Sequence, residues 1–191
     1  GIRVGKPQVS YREGVLSEGE SEYTHSVDLA GKKQFGSCAL SVQLDESING
    51  VEFTSKLNKK DLPKEFVEAI GEGVLEAAPG GIIAGYPLTN IKVLLERAKF
   101  IEEEASEVAY KIAAAHCIRE ACSKARVAIL EPIMHLEVVT PLDFTGDVIS
   151  DINGKRGRVI NITSKGGKEV IEAEAPLAEL FGYSTALRSR T

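Results

Sequence analysis

The sequence predicts an α+β protein made of two domains. Alternating apolar residues, typical of half-buried strands, are interleaved with stretches in which apolar residues recur every three or four positions, as in amphipathic helices. At 191 residues the chain is long enough for one or two domains. The pattern changes at Glu131-Pro132, so we place the domains at residues 1–129 and 130–191.

The first domain is predicted to open on weak strands that lead into a long hairpin. Cys38, Leu40 and Val42 alternate with polar or small residues, which predicts a half-buried strand over residues 37–44. We expect residues 29–36 to form the loop of that hairpin.

Two helices are predicted to follow in the same domain. The first begins at Pro63, because the missing N–H of proline would have no partner there, and it ends at Gly80-Gly81. A strand over residues 88–95 comes next. Ser106 is a suitable N-cap for the second helix, whose apolar face recurs over residues 108–122.

The second domain is predicted to follow the order β-α-β-β-α. Gly166-Gly167 indicates its hairpin, and Pro176 begins its last helix. This order is that of a ferredoxin-like split β-α-β sandwich lacking its last strand. In the 4-1-3-2 sheet of that fold the absent strand would lie beside Met134–Thr140, so we expect an unpaired edge there that invites another chain.

Composition and charge argue against several classes of function for this chain. The net charge of −5 provides no global basic field for nucleic acid, which counts against RNA or DNA binding, although it says nothing about local clusters of cations. No apolar run reaches the roughly 18–20 residues needed to span a bilayer, and no signal-peptide pattern opens the chain. Three cysteines, an odd number, argue against a disulfide framework and for a reducing compartment. We therefore expect a soluble cytoplasmic protein with no membrane or DNA partner.

Motifs for catalysis or metal binding are absent from the sequence. There is no P-loop, no G-x-S-x-G elbow, no H-E-x-x-H pair and no C-x-x-C clasp. Cys117 and Cys122 would point about 140° apart on a helix, so with His116 they make a poor zinc site. His25 and His135 lack a nearby serine or cysteine with an orienting acid. We predict no catalytic residue, no metal and no cofactor in this chain.

Two segments have the composition of a nucleic-acid contact. The first combines flexible backbone, two cations, an amide and an aromatic ring, which can dock a phosphate backbone beside a stacked base. Its residues are Gly31, Lys32, Lys33, Gln34 and Phe35. The second is a cationic turn that contains Lys155, Arg156 and Arg158. An ordinary solvated loop is the alternative for each segment.

Several longer motifs resemble elongation factor G over essentially the whole chain. The fourth domain of that family and the passage into its fifth are matched by Tyr11-Arg12-Glu13, Leu62–Phe66, Ile83–Leu88 and Ala125–Met134. The fifth domain is matched by Thr145–Ile149, Arg156-Gly157 and Leu180–Ser189. The resemblance implies the C-terminal part of a translational GTPase without its nucleotide domain. It therefore implies no enzymatic activity here and assigns GTP and Mg²⁺ to the full-length parent.

The resemblance also implies a ribosome-binding function. A ribosomal-protein-like α/β domain with a left-handed β-α-β crossover would place its tip in the small-subunit decoding centre, beside tRNA and mRNA, during translocation. A ferredoxin-like domain would contact large-subunit rRNA. The implied tip residues are Gly31, Lys32, Lys33, Gln34, Phe35, Lys99, Phe100, Ile101 and Glu102. The implied rRNA contacts of the second domain are Lys155, Arg156 and Arg158.

The sequence departs from the family in the second tip loop. Where the family commonly has Gly-Ser-Tyr-His-Asp, residues 98–102 read Ala-Lys-Phe-Ile-Glu, so Ile101 replaces the histidine. This departure suggests a paralogue specialised for another step such as ribosome recycling. A ribosomal protection protein is a further alternative. A stand-alone ferredoxin-like metabolic enzyme of acylphosphatase type is disfavoured, because Thr140–Asp143 offers no phosphate-cradling loop.

Overall fold

The computed structural model describes residues 2–5 and 8–180, which fold into two sheet-rich units of mixed α+β type. The predicted fold class is thereby confirmed. The strands are β1 (Arg3–Val4), β2 (Gln8–Ser10), β3 (Glu13–Val15), β4 (Gly19–Leu29), β5 (Lys32–Leu44), β6 (Val51–Ser55), β7 (Ile91–Lys99), β8 (Val127–Ile129), β9 (Ile133–Pro141), β10 (Arg158–Lys165) and β11 (Lys168–Pro176). The α-helices within this range are α1 (Lys64–Ala77), α2 (Glu107–Lys124) and α3 (Thr145–Gly154).

The division into units differs from the predicted domains 1–129 and 130–191. One unit, called the long unit here, consists of residues 12–130. The other, called the split unit, combines the described residues among 1–11 with those of 131–180. The first residues join the split unit because β1 and β2 pair with β9, far along the chain.

The long unit is centred on a four-stranded sheet in the order β4-β5-β7-β6. Its neighbouring strands are antiparallel except β6 and β7, which run parallel and are connected through α1. Helices α1 and α2 pack against each other, and α2 packs on β4 and β5. Leu40, Ile70, Val93 and Ile118 are fully buried in this core. The left-handedness of the β6-α1-β7 crossover stays a prediction.

Two glycines allow α2 to lie close to its neighbours. A Cβ at Gly36 on β5 would stand 2.3 Å from the backbone nitrogen of Tyr110 in α2. A Cβ at Gly73 in α1 would stand 2.4 Å from the carbonyl oxygen of Lys111. Both distances are far below van der Waals contact, so a larger residue at either position would push α2 away from β5 or α1.

The predicted hairpin loop over residues 29–36 is wrong, since only Ala30 and Gly31 form the turn. Both have positive φ, 54° and 81°, as a two-residue type I′ turn requires. Strands β4 and β5 remain paired as far as Leu29 and Lys32. Side chains are exposed on both faces of this end, which removes the apolar alternation that reveals a strand in the sequence.

Glu13 is a fully buried carboxylate that holds the loop preceding β7. Its two oxygens accept four backbone hydrogen bonds of 2.6–3.1 Å, from the N–H groups of Ile82, Ile83, Ala84 and Tyr86. Burial raises the pKa of the Glu13 carboxyl, but the four hydrogen bonds outweigh burial and hold the pKa below its ordinary value. Two segments that carry the family resemblance, around Glu13 and over residues 83–88, thus meet in space.

The split unit is an antiparallel sheet in the order β1-β9-β11-β10, with β2 also pairing with β9. Helix α3 supplies the buried side chains Val148 and Ile152. They form one core with Leu136, Val138 and Ile171 of the sheet. The order of β9, α3, β10 and β11 is the predicted β-α-β-β order of the second domain.

The predicted unpaired edge at Met134–Thr140 is wrong for the described residues. β1 pairs with Val138 and Val139, and β2 pairs with residues 133–135. The short strands at the start of the chain therefore occupy the position that was predicted to hold no strand. Their pairing could not be predicted, because strands this short carry no clear alternation and lie more than a hundred residues from their partner.

The predicted last helix does not begin at Pro176. That residue ends β11, and Leu177–Glu179 form one turn of 3₁₀ helix. The rest of the predicted helix, from residue 181 onward, lies outside the described residues.

Candidate functional site

The end of the β4–β5 hairpin and the loop after β7 lie side by side. The Phe35 N–H donates to the carbonyl oxygen of Glu104 at 2.8 Å, and the Ser106 N–H donates to the carbonyl oxygen of Phe35 at 3.2 Å. Phe35 and Ala105 also form an isolated parallel bridge. The fold thus brings together two segments that are far apart in the sequence. Residues 30–35 and 99–105 are called the tip below.

Lys32 and Lys33 are exposed at the outer end of the hairpin, directly after Gly31 of the turn. They are consecutive on β5, so their side chains leave opposite faces of the strand. Lys33 Nζ lies 3.6 Å from Glu104 Oε1, and 66% of its side chain is exposed. An exposed ion pair contributes at most about 1 kcal/mol, so Lys33 can exchange Glu104 for a phosphate at little cost.

Lys99 lies further back from the outer end of the tip. It pairs with Ser37, four positions along β5 from Lys33, which corresponds to about 13 Å at the usual rise of a strand. Its Nζ lies 3.3 Å from Glu22 Oε1. The structure therefore does not place Lys99 in one cluster with the two hairpin lysines.

The two phenylalanines of the tip differ in accessibility. Phe35 is only 8% exposed, whereas Phe100 is 39% exposed. The Phe100 ring also packs against Phe66 at the start of α1, with 5.7 Å between ring centroids. Phe35 therefore stabilises the base of the tip, and Phe100 is the ring that offers a surface for base stacking.

Gln34 connects the hairpin to the start of α2. Its side-chain oxygen accepts a hydrogen bond from the Ser106 hydroxyl at 3.2 Å. Ser106 is the N-cap of α2, and its oxygen accepts from the Ala109 N–H at 3.4 Å. The residue predicted as an RNA contact thus has a structural partner within the tip.

Ile101 is an exposed apolar side chain at the turn of the second tip loop, with 39% of its surface accessible. Its carbonyl oxygen accepts from the N–H groups of Glu104 and Ala105, at 3.1 and 2.8 Å, which closes the turn. Glu102 beside it is exposed. The second loop therefore presents an isoleucine and acidic groups where the resemblance predicts a histidine.

Two of the three predicted rRNA contacts of the second domain, Arg156 and Arg158, are engaged in ion pairs of the split unit. The Arg156 guanidinium contacts Glu131 Oε1 at 2.7 Å and Glu179 Oε1 at 2.8 Å. These carboxylates, Glu131 first, raise the pKa of Arg156. Arg158 lies 3.2 Å from Glu174 Oε2, and Lys155 is half-buried directly after α3. A phosphate at Arg156 would have to displace two carboxylates.

The prediction that His135 lacks a nearby serine and acid is wrong. Ser10 Oγ lies 2.5 Å from His135 Nε2, and Glu174 Oε1 lies 3.2 Å from His135 Nδ1. The three residues belong to β2, β9 and β11, which are neighbours in the sheet of the split unit. Positions 10, 135 and 174 are too far apart in the sequence for any motif to connect them.

No metal-binding group stands out in the part of the chain that the structure describes. Residues 2–5 and 8–180 contain no cluster of three His, Cys, Asp or Glu side chains arranged to hold an ion. His116 stacks on Tyr23, with ring centroids 4.7 Å apart. Cys38, Cys117 and Cys122 are buried free thiols, and burial raises the pKa of Cys122 to about 12. None of the described helices has both the length and the apolar character that membrane spanning demands.

Comparison with known proteins identifies two matching family models. The model described as elongation factor G, domain IV, matches residues 7–126, and the model described as elongation factor G C-terminus matches residues 128–191. A crystal structure of a protein from Thermus thermophilus is similar, with 32% sequence identity and a TM-score of 0.62. The similarity covers 95% of this chain and 27% of that one, so the chain spans about a quarter of the length of its structural relative.

Proposed function

Because the chain belongs to the elongation factor G family, we propose that it is the ribosome-binding part of a translocase whose tip enters the decoding centre of the small subunit. One observation carries this proposal. The hairpin and the loop after β7, which are separated by more than sixty residues, converge at one end of the long unit. An end of the long unit with exposed lysines suits contact with RNA phosphates.

The chemistry of the tip favours contact with phosphates over direct reading of bases. Lys32 and Lys33 are exposed, and the ion pair that holds Lys33 is a weak surface one. Lysine acts on phosphate mainly as a point charge. Phe100 offers one exposed ring for stacking. We therefore expect binding that depends strongly on salt and weakly on sequence.

The double substitution Lys32→Ala with Lys33→Ala tests the tip directly. Ribosome binding of this chain is measured by co-sedimentation over a series of salt concentrations. We expect the slope of log binding constant against log salt concentration to become shallower by up to about 1.8, since each lost phosphate contact removes about 0.9. In the intact factor the same change should slow single-round translocation and leave ribosome-stimulated GTP hydrolysis largely unchanged.

A matched control exists at the hairpin of the split unit. Lys165 and Lys168 are likewise exposed and flank the two-residue turn Gly166-Gly167. Replacing both by alanine removes the same charge from a different hairpin and should change translocation less than the tip variant. Two outcomes would contradict the assignment of the tip as an RNA contact. One is an equal effect of the two double variants, and the other is an unchanged salt slope in the variant with Lys32→Ala and Lys33→Ala.

Ile101 supports a second candidate function. In this alternative the chain belongs to a paralogue that serves a ribosomal step other than translocation. Its exposed apolar side chain stands where the resemblance has a histidine. If the chain is a slow translocase because of this residue, Ile101→His should raise the single-round translocation rate of the intact factor. Ile101→Ala serves as the control that removes bulk without adding an imidazole. No change with histidine would favour recycling or protection as the function.

A further inference from the structure

Ser10, His135 and Glu174 lie in a row on the sheet of the split unit, the first two joined by a hydrogen bond and the last two within ion-pair distance. The Ser10 hydroxyl lies 2.5 Å from His135 Nε2, and His135 Nδ1 lies 3.2 Å from Glu174 Oε1. An activated serine is recognised by two contacts, whatever its position in the sequence. Its hydroxyl contacts a base, and a carboxylate orients that base. We propose that Ser10 is an activated nucleophile that transfers small acyl groups from esters to water.

Neighbouring residues determine the role of each side chain in the row. Glu174 is itself held, because its second oxygen accepts from the Arg158 guanidinium at 3.2 Å. That contact leaves Oε1 for His135 and favours the tautomer in which Nδ1 carries the proton and Nε2 accepts from Ser10. The His135 side chain is 35% exposed, so the row can be reached from solvent. Glu174 is a positioning residue, whereas Ser10 and His135 touch the reacting atoms.

A groove that His135 lines, and that Ser10 adjoins only through its contact with His135, provides space for a small substrate. Its volume is about 290 Å³, and Gln8, Ile160 and Ala173 belong to its lining. Glu137 and Glu172 also line it, which disfavours anionic substrates. The substrate class that fits is a small uncharged or cationic ester with a good leaving group.

The reaction balances without a further co-reactant. Ser10 Oγ forms a bond to the acyl carbon while the bond from that carbon to the leaving oxygen breaks, and the Oγ proton passes through His135 Nε2 to the leaving alkoxide. Water then attacks the acyl-serine and gives one proton to His135. The bond between Oγ and the acyl carbon breaks, and the proton returns to Ser10, which releases a carboxylic acid.

Labelling of the 191-residue chain with a neutral alkyl fluorophosphonate tests the proposal, with the modified serine located by peptide mass spectrometry. Ser55 is exposed, lies in the long unit and provides the internal reference. We expect Ser10 to react about 10²-fold or more faster than Ser55, and His135→Gln to remove most of that difference. Hydrolysis of 4-nitrophenyl acetate should fall in parallel and disappear in Ser10→Ala.

The role of Glu174 is tested with variants whose effect on Ser10 reactivity differs from the effect of a simple loss of stability. Glu174→Gln should lower the Ser10 labelling rate and shift its pH profile, and Glu174→Asp should restore part of the rate. Labelling of Ser10 no faster than of Ser55 in the unchanged chain would overturn the proposal. So would a Ser10 rate that His135→Gln leaves unaltered.

Discussion

Replacing Glu13 by glutamine is expected to lower the free energy of unfolding of the long unit by about 2–4 kcal/mol. The carboxylate is fully buried and accepts four backbone hydrogen bonds from residues 82–86. Glutamine keeps the length but turns one acceptor into an NH₂ donor that faces backbone N–H groups, so at least two of them lose their partner. Urea unfolding followed by far-UV circular dichroism measures the change.

Glu18→Gln is the matched control, because Glu18 is exposed and near Glu13 in sequence. It should change the free energy of unfolding by less than about 0.5 kcal/mol. Similar values for the two variants would show that the buried hydrogen bonds do not stabilise the loop.

The same carboxylate predicts a pH dependence whose sign follows from its lowered pKa. In the unfolded chain Glu13 titrates near its ordinary value of about 4.3. A group with a lower pKa in the folded state stabilises fully above the unfolded pKa and loses this contribution as pH falls through the folded pKa. The difference in unfolding free energy between the unchanged chain and Glu13→Gln should therefore be constant near neutral pH and shrink below about pH 4. A difference that grows on acidification would contradict the assignment.

Deleting residues 1–10 is expected to convert the split unit into an associating species. β1 and β2 cover one edge of β9, and their removal exposes backbone N–H and C=O groups from Ile133 to Val139. Lost pairing should cost the split unit on the order of 2–4 kcal/mol, and an open edge favours pairing with a second chain. Analytical ultracentrifugation and thermal unfolding measure the two effects.

Deleting only residues 1–5 provides a graded control. It removes the β1 pairs at Val138 and Val139 and leaves β2 in place, together with the contact between Ser10 and His135. Its effect on association should be smaller than that of the longer deletion. A monomer of unchanged thermal stability after the longer deletion would show that β1 and β2 do not protect this edge.

The sequence by itself determined the fold class, the family and most helices and strands. Strong local patterns carried these predictions, such as the alternation around Leu40 in β5, the Ser106 N-cap of α2 and the Gly166-Gly167 turn. The predicted half-burial of that strand is wrong, since both faces of β5 are buried from Phe35 to Leu40. Each of these features depends on residues close in the chain, so a local physical rule is sufficient to predict it. The absence of a P-loop is likewise readable from the sequence alone.

Only the tertiary structure decided which distant residues meet. Three contacts join positions that lie far apart in the sequence. They are the pairing of β1 and β2 with β9, the hydrogen bonds from residues 82–86 to Glu13, and the row from Ser10 to Glu174. Such contacts arise from packing and backbone pairing across the fold, and no local pattern encodes them. Burial of Phe35 and exposure of Phe100 were decided in the same way, because the start of β5 and the loop after β7 pack differently once they lie side by side.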